Sequence, residues 1–312
     1  MQYKTMGRTG LRVSRLGLGT AEIGMPYGIG LRTVPTELQA IQLLRGAVDL
    51  GINLFDTAHI HQRADERIAK SGIAKLPGVI IATKCAHFLE KGEDPPRVEL
   101  ERRIRTEVED NLRNLQVDSL TILQLHGGSR AQIKRGDLIE VLSKLKQEGK
   151  IQFSGISIRG ELAAMAAVSC DFFDVVNIAY SILDQRLGDL FLPMALMENV
   201  GVINRSILLR GVLGDCAVDL PRELNLLKNN SLEANRIATE LSMSLPSLAI
   251  RFALSKDFSI STSLIGTNKL EHLYEAVLAA EYGPLPDEVC LRLSELAISD
   301  PEQVDPALWP KF

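Results

Sequence analysis

The sequence predicts an α/β protein in which one closed (β/α)8 barrel, a TIM barrel with an N-terminal β-hairpin, occupies residues 1–312 as a single domain. Three observations carry that reading. Short β-rich runs alternate with longer amphipathic stretches along the whole length, the pattern of βα units around a parallel sheet. The runs number eight, as closure requires, and no Gly/Ser/Pro-rich linker divides them.

Residues 3–6 and 11–13 flank the turn-rich Gly7-Arg8-Thr9-Gly10, so they are expected to pair as a small hairpin before the repeating units begin. Strands are expected at 16–19, 53–56, 79–84, 119–126, 153–157, 175–178, 202–206 and 263–266. Between them the periodicity is helical. Thr36 opens a helix to Leu50 with a Thr36-x-x-Gln39 capping box, and Leu100, Ile104, Val108, Leu112 and Leu115 recur at the spacing that lays one apolar stripe along a helix. A last helix is expected over 286–297, followed by an irregular tail. An open doubly wound sheet would carry a Gly-x-Gly-x-x-Gly turn after its first strand, and Gly17-Leu18-Gly19-Thr20 lacks that spacing.

Charge and cysteine usage narrow the function. The formal net charge is -4 with acids and bases interspersed, so no basic face is offered to nucleic acid or to an anionic membrane, and a small-molecule substrate fits better. Nowhere do about eighteen apolar residues run together, and Met1-Gln2-Tyr3-Lys4 leads into no apolar stretch. Both features read as cytoplasmic. Cys85, Cys170, Cys216 and Cys290 are far apart and form no Cys-x-x-Cys pair, as expected of free thiols in a reducing compartment, with Cys85 an inert core thiol.

In a parallel barrel the reactive groups belong at the C-terminal ends of the strands, where the βα loops converge. Asp56 and His61 follow Asn53-Leu54-Phe55, Lys84 follows Val79-Ile80-Ile81-Ala82-Thr83, and His126 follows Leu123-Gln124-Leu125. These four should meet at one mouth.

The run Gly51-Ile52-Asn53-Leu54-Phe55-Asp56-Thr57-Ala58 resembles the signature around the catalytic Asp of the aldo-keto reductase superfamily. Also similar are Met6-Gly7-Arg8-Thr9-Gly10-Leu11-Arg12-Val13-Ser14, the strand-end Lys84, Leu125-His126, Gly149-Lys150-Ile151 leading to Gly155-Ile156-Ser157, and Tyr180-Ser181-Ile182-Leu183-Asp184. Leu264-Ile265-Gly266-Thr267-Asn268, followed by Glu271-His272-Leu273, resembles the family's adenosine-phosphate loop. The matches keep their order along nearly the whole chain.

The resemblance implies a tetrad of Asp, Tyr, Lys and His in which the Tyr protonates a carbonyl oxygen as hydride arrives from a nicotinamide. An ammonium beside a phenol stabilises the phenolate, and a carboxylate holds that ammonium in place. Asp56, Lys84 and His126 take three of these positions. The family continues Asp-Thr-Ala-x-x-Tyr-Gly, whereas Asp56-Thr57-Ala58-His59-Ile60 is followed by His61-Gln62. His61 thus stands where the Tyr belongs, as a general base or weak acid that Lys84 pushes down in pKa.

The implied cofactor is NADP(H), with NAD(H) as the alternative. Ser157 and Asn177 are expected to bond the carboxamide and Tyr180 to stack on the ring. Gly19 and Thr20 border the site, and Ser206, Leu208, Arg210 and Gly211 resemble the segment over the pyrophosphate. Gly266, Thr267 and Asn268 would offer donors to a phosphate, Lys269 supplies charge, and His272 and Glu275 lie by the adenosine. The family's adenine-contacting Asn falls on Ala276. Tyr27 is expected to shape the substrate pocket.

With His61 as base, alcohol oxidation or a redox-neutral epimerisation is as compatible as reduction. Two other classes compete. His59-x-His61 with His87, His126 and Asp56 contains enough ligands for the zinc of a hydrolase or lyase, although barrel hydrolases carry such a pair after the first strand rather than the second. A catalytically silent NADPH-binding protein is the third.

Overall fold

The computed structural model describes residues 1–30, 32–214, 216–255 and 259–310. Strands β1 (Tyr3–Thr5) and β2 (Arg12–Ser14) pair antiparallel as the expected hairpin. Eight parallel strands follow: β3 (Leu16–Gly19), β4 (Leu54–Asp56), β5 (Ile80–Cys85), β6 (Leu120–His126), β7 (Ile151–Ser157), β8 (Val175–Ala179), β9 (Gly201–Arg205) and β10 (Thr262–Gly266). They pair in chain order, and β10 returns to β3, so the barrel closes. The protein is a (β/α)8 barrel.

Strand side chains alternate between the barrel interior and the helical shell, and that period of two sorts the sequence by layer. Leu54, Ile80, Ile122, Phe153, Val175, Ile203 and Leu264 join Ala82 in the inner apolar cluster. Two residues on, the same inward face carries Asp56, Ala82, Gln124, Gly155, Asn177, Arg205 and Gly266. Another step takes β5, β6 and β7 to Lys84, His126 and Ser157. Apolar groups therefore fill the base and polar ones the mouth. The hairpin seals the base: Met6 and Val13 belong to the inner cluster, and a Cβ on Gly201 would come within 2.5 Å of Met6 Cγ.

The outward face packs on the helices. Helix Glu37–Asp49 starts at Thr36 with the predicted capping box and buries Ala40, Leu43, Leu44 and Ala47. Helix Arg97–Leu115 buries Leu100, Ile104, Val108 and Leu115, but Asn111 rather than Leu112 takes the remaining fully buried position because its amide has a backbone partner inside. Strand limits differ from expectation by one or two residues. β7 begins at Ile151, and β9 ends at Arg205 because Ser206 turns into left-handed backbone at φ 62°. The last predicted helix is Asp287–Ser294, and the tail carries a further short helix, Pro301–Val304.

Among the described residues no single helix is long and apolar enough to cross a membrane; only 222–240 and 245–254 together, bent by 92°, meet that length and composition. All four cysteines are free, and burial pushes the Cys85 thiol well above its usual range.

The first βα connection closes on the loop after β4. A Cβ on Gly24 would stand 1.9 Å from the His61 carbonyl oxygen and 2.8 Å from the Ala64 amide nitrogen, both backbone atoms that cannot rotate away. Gly24→Ala should therefore cost about 1–3 kcal/mol and lower the melting temperature. A melting curve superimposable on the parent's would show that this approach is not needed.

Candidate active site

Asp56 is the hub of the barrel mouth. Lys84 Nζ donates to Asp56 Oδ2 and, at 3.0 Å, to the Thr57 carbonyl. Gln124 Nε2 and Asn177 Nδ2 donate to the other carboxylate oxygen at 3.0 and 3.3 Å. Asp56 and Lys84 are only 5% and 3% exposed, a placement that is tolerable when the remaining lone pairs and protons are satisfied, as these donors and carbonyl ensure. From the shell, Asn111 Nδ2 donates to the Lys84 carbonyl at 3.2 Å.

The loop carrying His61 is tied to the strands beneath it. The Thr57 and His59 amides donate to the Ala82 and Lys84 carbonyls at 2.8 and 2.9 Å, and Thr57 Oγ1 donates to Asp65 Oδ1 at 2.5 Å. Burial pushes Asp65 up to about 6 despite that hydrogen bond. The His61 side chain lines the mouth with Nδ1 buried and unpartnered. Burial, then the charges of Lys84 and His87, pull its imidazole down to about 3. Burial and Lys84 likewise hold His126 well below the usual histidine range, against the pull of Glu90. Both imidazoles are neutral at physiological pH, and each can donate through N–H or accept through a free nitrogen.

Sequence reasoning missed three charged groups at this mouth: Glu90, Arg159 and Arg205. His87 Nε2 lies 2.9 Å from Glu90 Oε2, and Arg159 Nε donates to Glu90 Oε1 at 2.7 Å. Burial would raise Glu90, but these hydrogen bonds and the nearby His126 and Arg159 outweigh it and hold the carboxyl below its usual range. Glu90 sits on the short helix His87–Glu90, where no periodicity marks it. The two arginines had a signal, since both follow apolar strand residues just as Asp56, Lys84 and His126 do.

The potential metal ligands are also not the expected set. Among the described residues His87, Glu90 and His126 gather with ligand atoms within 4.8 Å of one another, whereas His59 does not line the cleft with His61 and His126. Arg159 already holds one Glu90 oxygen, and a dication there would also meet the Lys84 ammonium.

From the mouth a single cleft runs over Gly19, Thr20 and Ser157 to Ser206, Leu208, Arg210 and Gly211, and on to Gly266, Thr267, Asn268, Lys269 and His272. Three expected contacts do not line it. Tyr180 lies at the outward parity of β8, 1% exposed, stacked on Phe252 at 5.8 Å between centroids. Asn177 faces inward but is fully buried, its amide serving Asp56 and its Oδ1 unpartnered. Glu275 is exposed on helix Leu270–Glu281, one turn past His272.

The far end of the cleft has features that a dinucleotide needs. Ser206, Leu209 and Arg210 all adopt left-handed backbone at φ 62°, 46° and 55°, a cost for non-glycine residues that concentrates at functional loops. The Arg210 guanidinium sits 5.0 Å from the Tyr27 ring centroid, and its buried Nε is unpartnered. Thr267 Oγ1 accepts from the Lys269 amide at 3.1 Å, and Asn268 Nδ2 donates to the Thr33 carbonyl at 3.1 Å. Helix Leu270–Glu281 begins there with no side-chain cap, and the amides of a helix's first turn have no partner within the helix. Arg32 and Glu22, which the sequence reading did not single out, line the same stretch.

Comparison with known proteins agrees with this arrangement. Residues 15–298 match the family model described as "Aldo/keto reductase family". L-galactose dehydrogenase of Arabidopsis thaliana is 30% identical over 296 residues, covering 89% of this chain and 88% of that protein. Uncharacterized oxidoreductase YqkF of Bacillus subtilis is 26% identical over 307 residues, 92% and 94% of the two chains. Among solved structures, the holo form of aldo-keto reductase AKR11C1 from Bacillus halodurans aligns over 96% of this chain and 97% of its own, with a TM-score of 0.78 at 26% identity. Enzymes of this family are oxidoreductases that use nicotinamide cofactors and small-molecule substrates. A collinear match over most of the length, on a closed barrel of the same shape, makes this chain a member of the aldo/keto reductase family.

Proposed function

We propose that this chain is a cytoplasmic, NADP(H)-dependent oxidoreductase, a single barrel domain over residues 1–312, in which His61 serves where the family's tyrosine would. The observation that carries this is one continuous cleft joining the Asp56–Lys84 pair, His61 and His126 to the Gly266–His272 segment. When bound, the nicotinamide supplies or stores the hydride. Ser157 would bond its carboxamide, and Ser206, Leu208, Arg210 and Gly211 would cover the pyrophosphate. Gly266, Thr267, Asn268 and Lys269 would hold an adenosine phosphate beside His272. Lys269 and Arg210 favour the extra phosphate of NADP(H).

His61 carries the proton at the substrate oxygen. With its imidazole depressed to about 3 it is no imidazolium, so its N–H polarises a carbonyl oxygen or its free nitrogen takes the proton of an alcohol. Burial and then Lys84, fixed by Asp56, keep it neutral, and Lys84 adds positive potential where an alkoxide develops. His126 orients the same oxygen. An imidazole held this low is a weak base as well as a weak neutral acid, so alcohol oxidation and an epimerisation that returns the hydride are as compatible with this mouth as carbonyl reduction.

Three outcomes are expected. In a fluorescence titration NADPH should bind at least about tenfold more tightly than NADH, and Lys269→Ala should erode that preference; equal affinities would remove the phosphate assignment. His61→Tyr should raise carbonyl reduction by about tenfold or more, and no gain alongside intact NADPH binding counts against the role given to His61. The third is a pH effect. Because the folded His61 pKa lies below the unfolded one, the unfolded chain takes the proton first, so this contribution is present above about pH 6.5 and is lost as pH falls toward 3. His61→Gln should therefore lose less stability than the parent between pH 7 and 4, by on the order of 1–3 kcal/mol in urea melts. Asp65, raised to about 6, works in the opposite direction in both proteins and drops out of the difference. Identical acid sensitivity of the two would contradict a buried neutral His61.

A further inference from the structure

Arg205 is the last residue of β9 and lies on the inward face two positions above Ile203, which is packed in the barrel interior. It borders both the cleft mouth and an adjoining hollow formed by Ile158, Arg159, Leu187 and the tail residues Val304 and Asp305. Its Nη1 donates to Ser206 Oγ at 3.4 Å and its Nη2 to the Ile158 carbonyl at 3.2 Å, two long bonds to neutral acceptors. Among the described residues no carboxylate comes within 4 Å of it.

The neighbouring acids are already committed. Asp56 is held by Lys84, and Glu90 and Asp305 are both held by Arg159, which donates Nε to one and Nη1 to the other. Glu90 also pairs with His87. Glu90 and Asp305 therefore reach Arg205 only at longer range, while burial and the like charge of Arg159 oppose its cationic form. A half-buried guanidinium without a counterion is costly, and its planar fork of donors matches the oxygens of a carboxylate or phosphate.

We propose that Arg205 captures an oxyanion on the substrate, so that the enzyme acts on a carbonyl or alcohol bearing a carboxylate or phosphate, with the reacting oxygen at His61 and His126. This rests on the oxidoreductase reading. The hollow beside Arg205 gives the charged end room away from the reacting carbon, while Arg159 stays with its two acids and leaves Arg205 to meet the anion.

The test uses NADP(H)-saturated enzyme and matched pairs: glyceraldehyde against glyceraldehyde 3-phosphate, and butyraldehyde against succinic semialdehyde, with the corresponding alcohols for oxidation. The charged member should have the higher kcat/KM by about tenfold or more, and which pair shows it separates phosphate from carboxylate. Arg205→Met should lower kcat/KM for the charged member at least about tenfold more than for the neutral one, mainly through KM, and Arg205→Lys should restore part of the loss. A second readout needs no turnover. On the NADPH-loaded protein, malonate or inorganic phosphate should change cofactor fluorescence saturably, and Arg205→Met should weaken that response about tenfold or more. Equal kcat/KM within both pairs, or anion titrations indifferent to Arg205, would overturn the proposal with the oxidoreductase reading intact. Failure of the parent protein to bind NADPH would sink that reading instead.

Discussion

The ion pair between Asp56 and Lys84 is the constraint around which the mouth is arranged. Neighbouring strands β4 and β5 bring a carboxylate and an ammonium together below the solvent, and every group that satisfies them also fixes something else. Gln124 and Asn177 spend their amides on Asp56, Lys84 holds the Thr57 carbonyl, and Asn111 fixes the Lys84 carbonyl from the shell. A buried pair of this kind adds little net stability, yet removing one partner strands a charge at about 3–5 kcal/mol. The pair also sets a local field: burial first, and the Lys84 charge second, keep His61 and His126 neutral.

Much of this was legible because a strand's period of two is rigid. Once Leu54, Ile80 and Ile122 are taken as interior, Asp56, Lys84 and His126 must share that interior at the rim, and the structure puts them there. The same rule explains the error over Tyr180. With Val175 and Asn177 inward, position 180 turns outward, so its ring joins Phe252 in the shell rather than the cleft. The family motif suggested a cofactor contact, and parity argues against one. Asn177 has the right parity, but it is fully buried and spends its amide on Asp56.

Other features had no sequence signal. Glu90 lies on a single helical turn whose placement depends on the whole βα connection, and Asp305 arrives from a tail read as irregular. The neutrality of His61 depends on burial and on two charges from other strands and loops, which no local pattern encodes. By contrast, Arg205 meets the strand-end criterion only once β9 stops at Arg205; with the strand expected to run to 206, it falls inside rather than at the end.

On the role proposed for His61, its imidazole and the arginines at the mouth belong to one electrostatic arrangement. A phenol beside Lys84 gains acidity because its product is an anion, whereas an imidazole beside the same ammonium loses basicity because its product is a cation. Each added positive charge therefore makes His61 harder to protonate and its neutral N–H a better hydrogen-bond donor. Positive potential at His61 then opposes uptake of a proton there and favours a substrate that brings its own negative charge. An anion seated at Arg205 would offset part of the field and let the imidazole recover basicity while the substrate is bound, tying proton transfer at His61 to occupancy of the pocket.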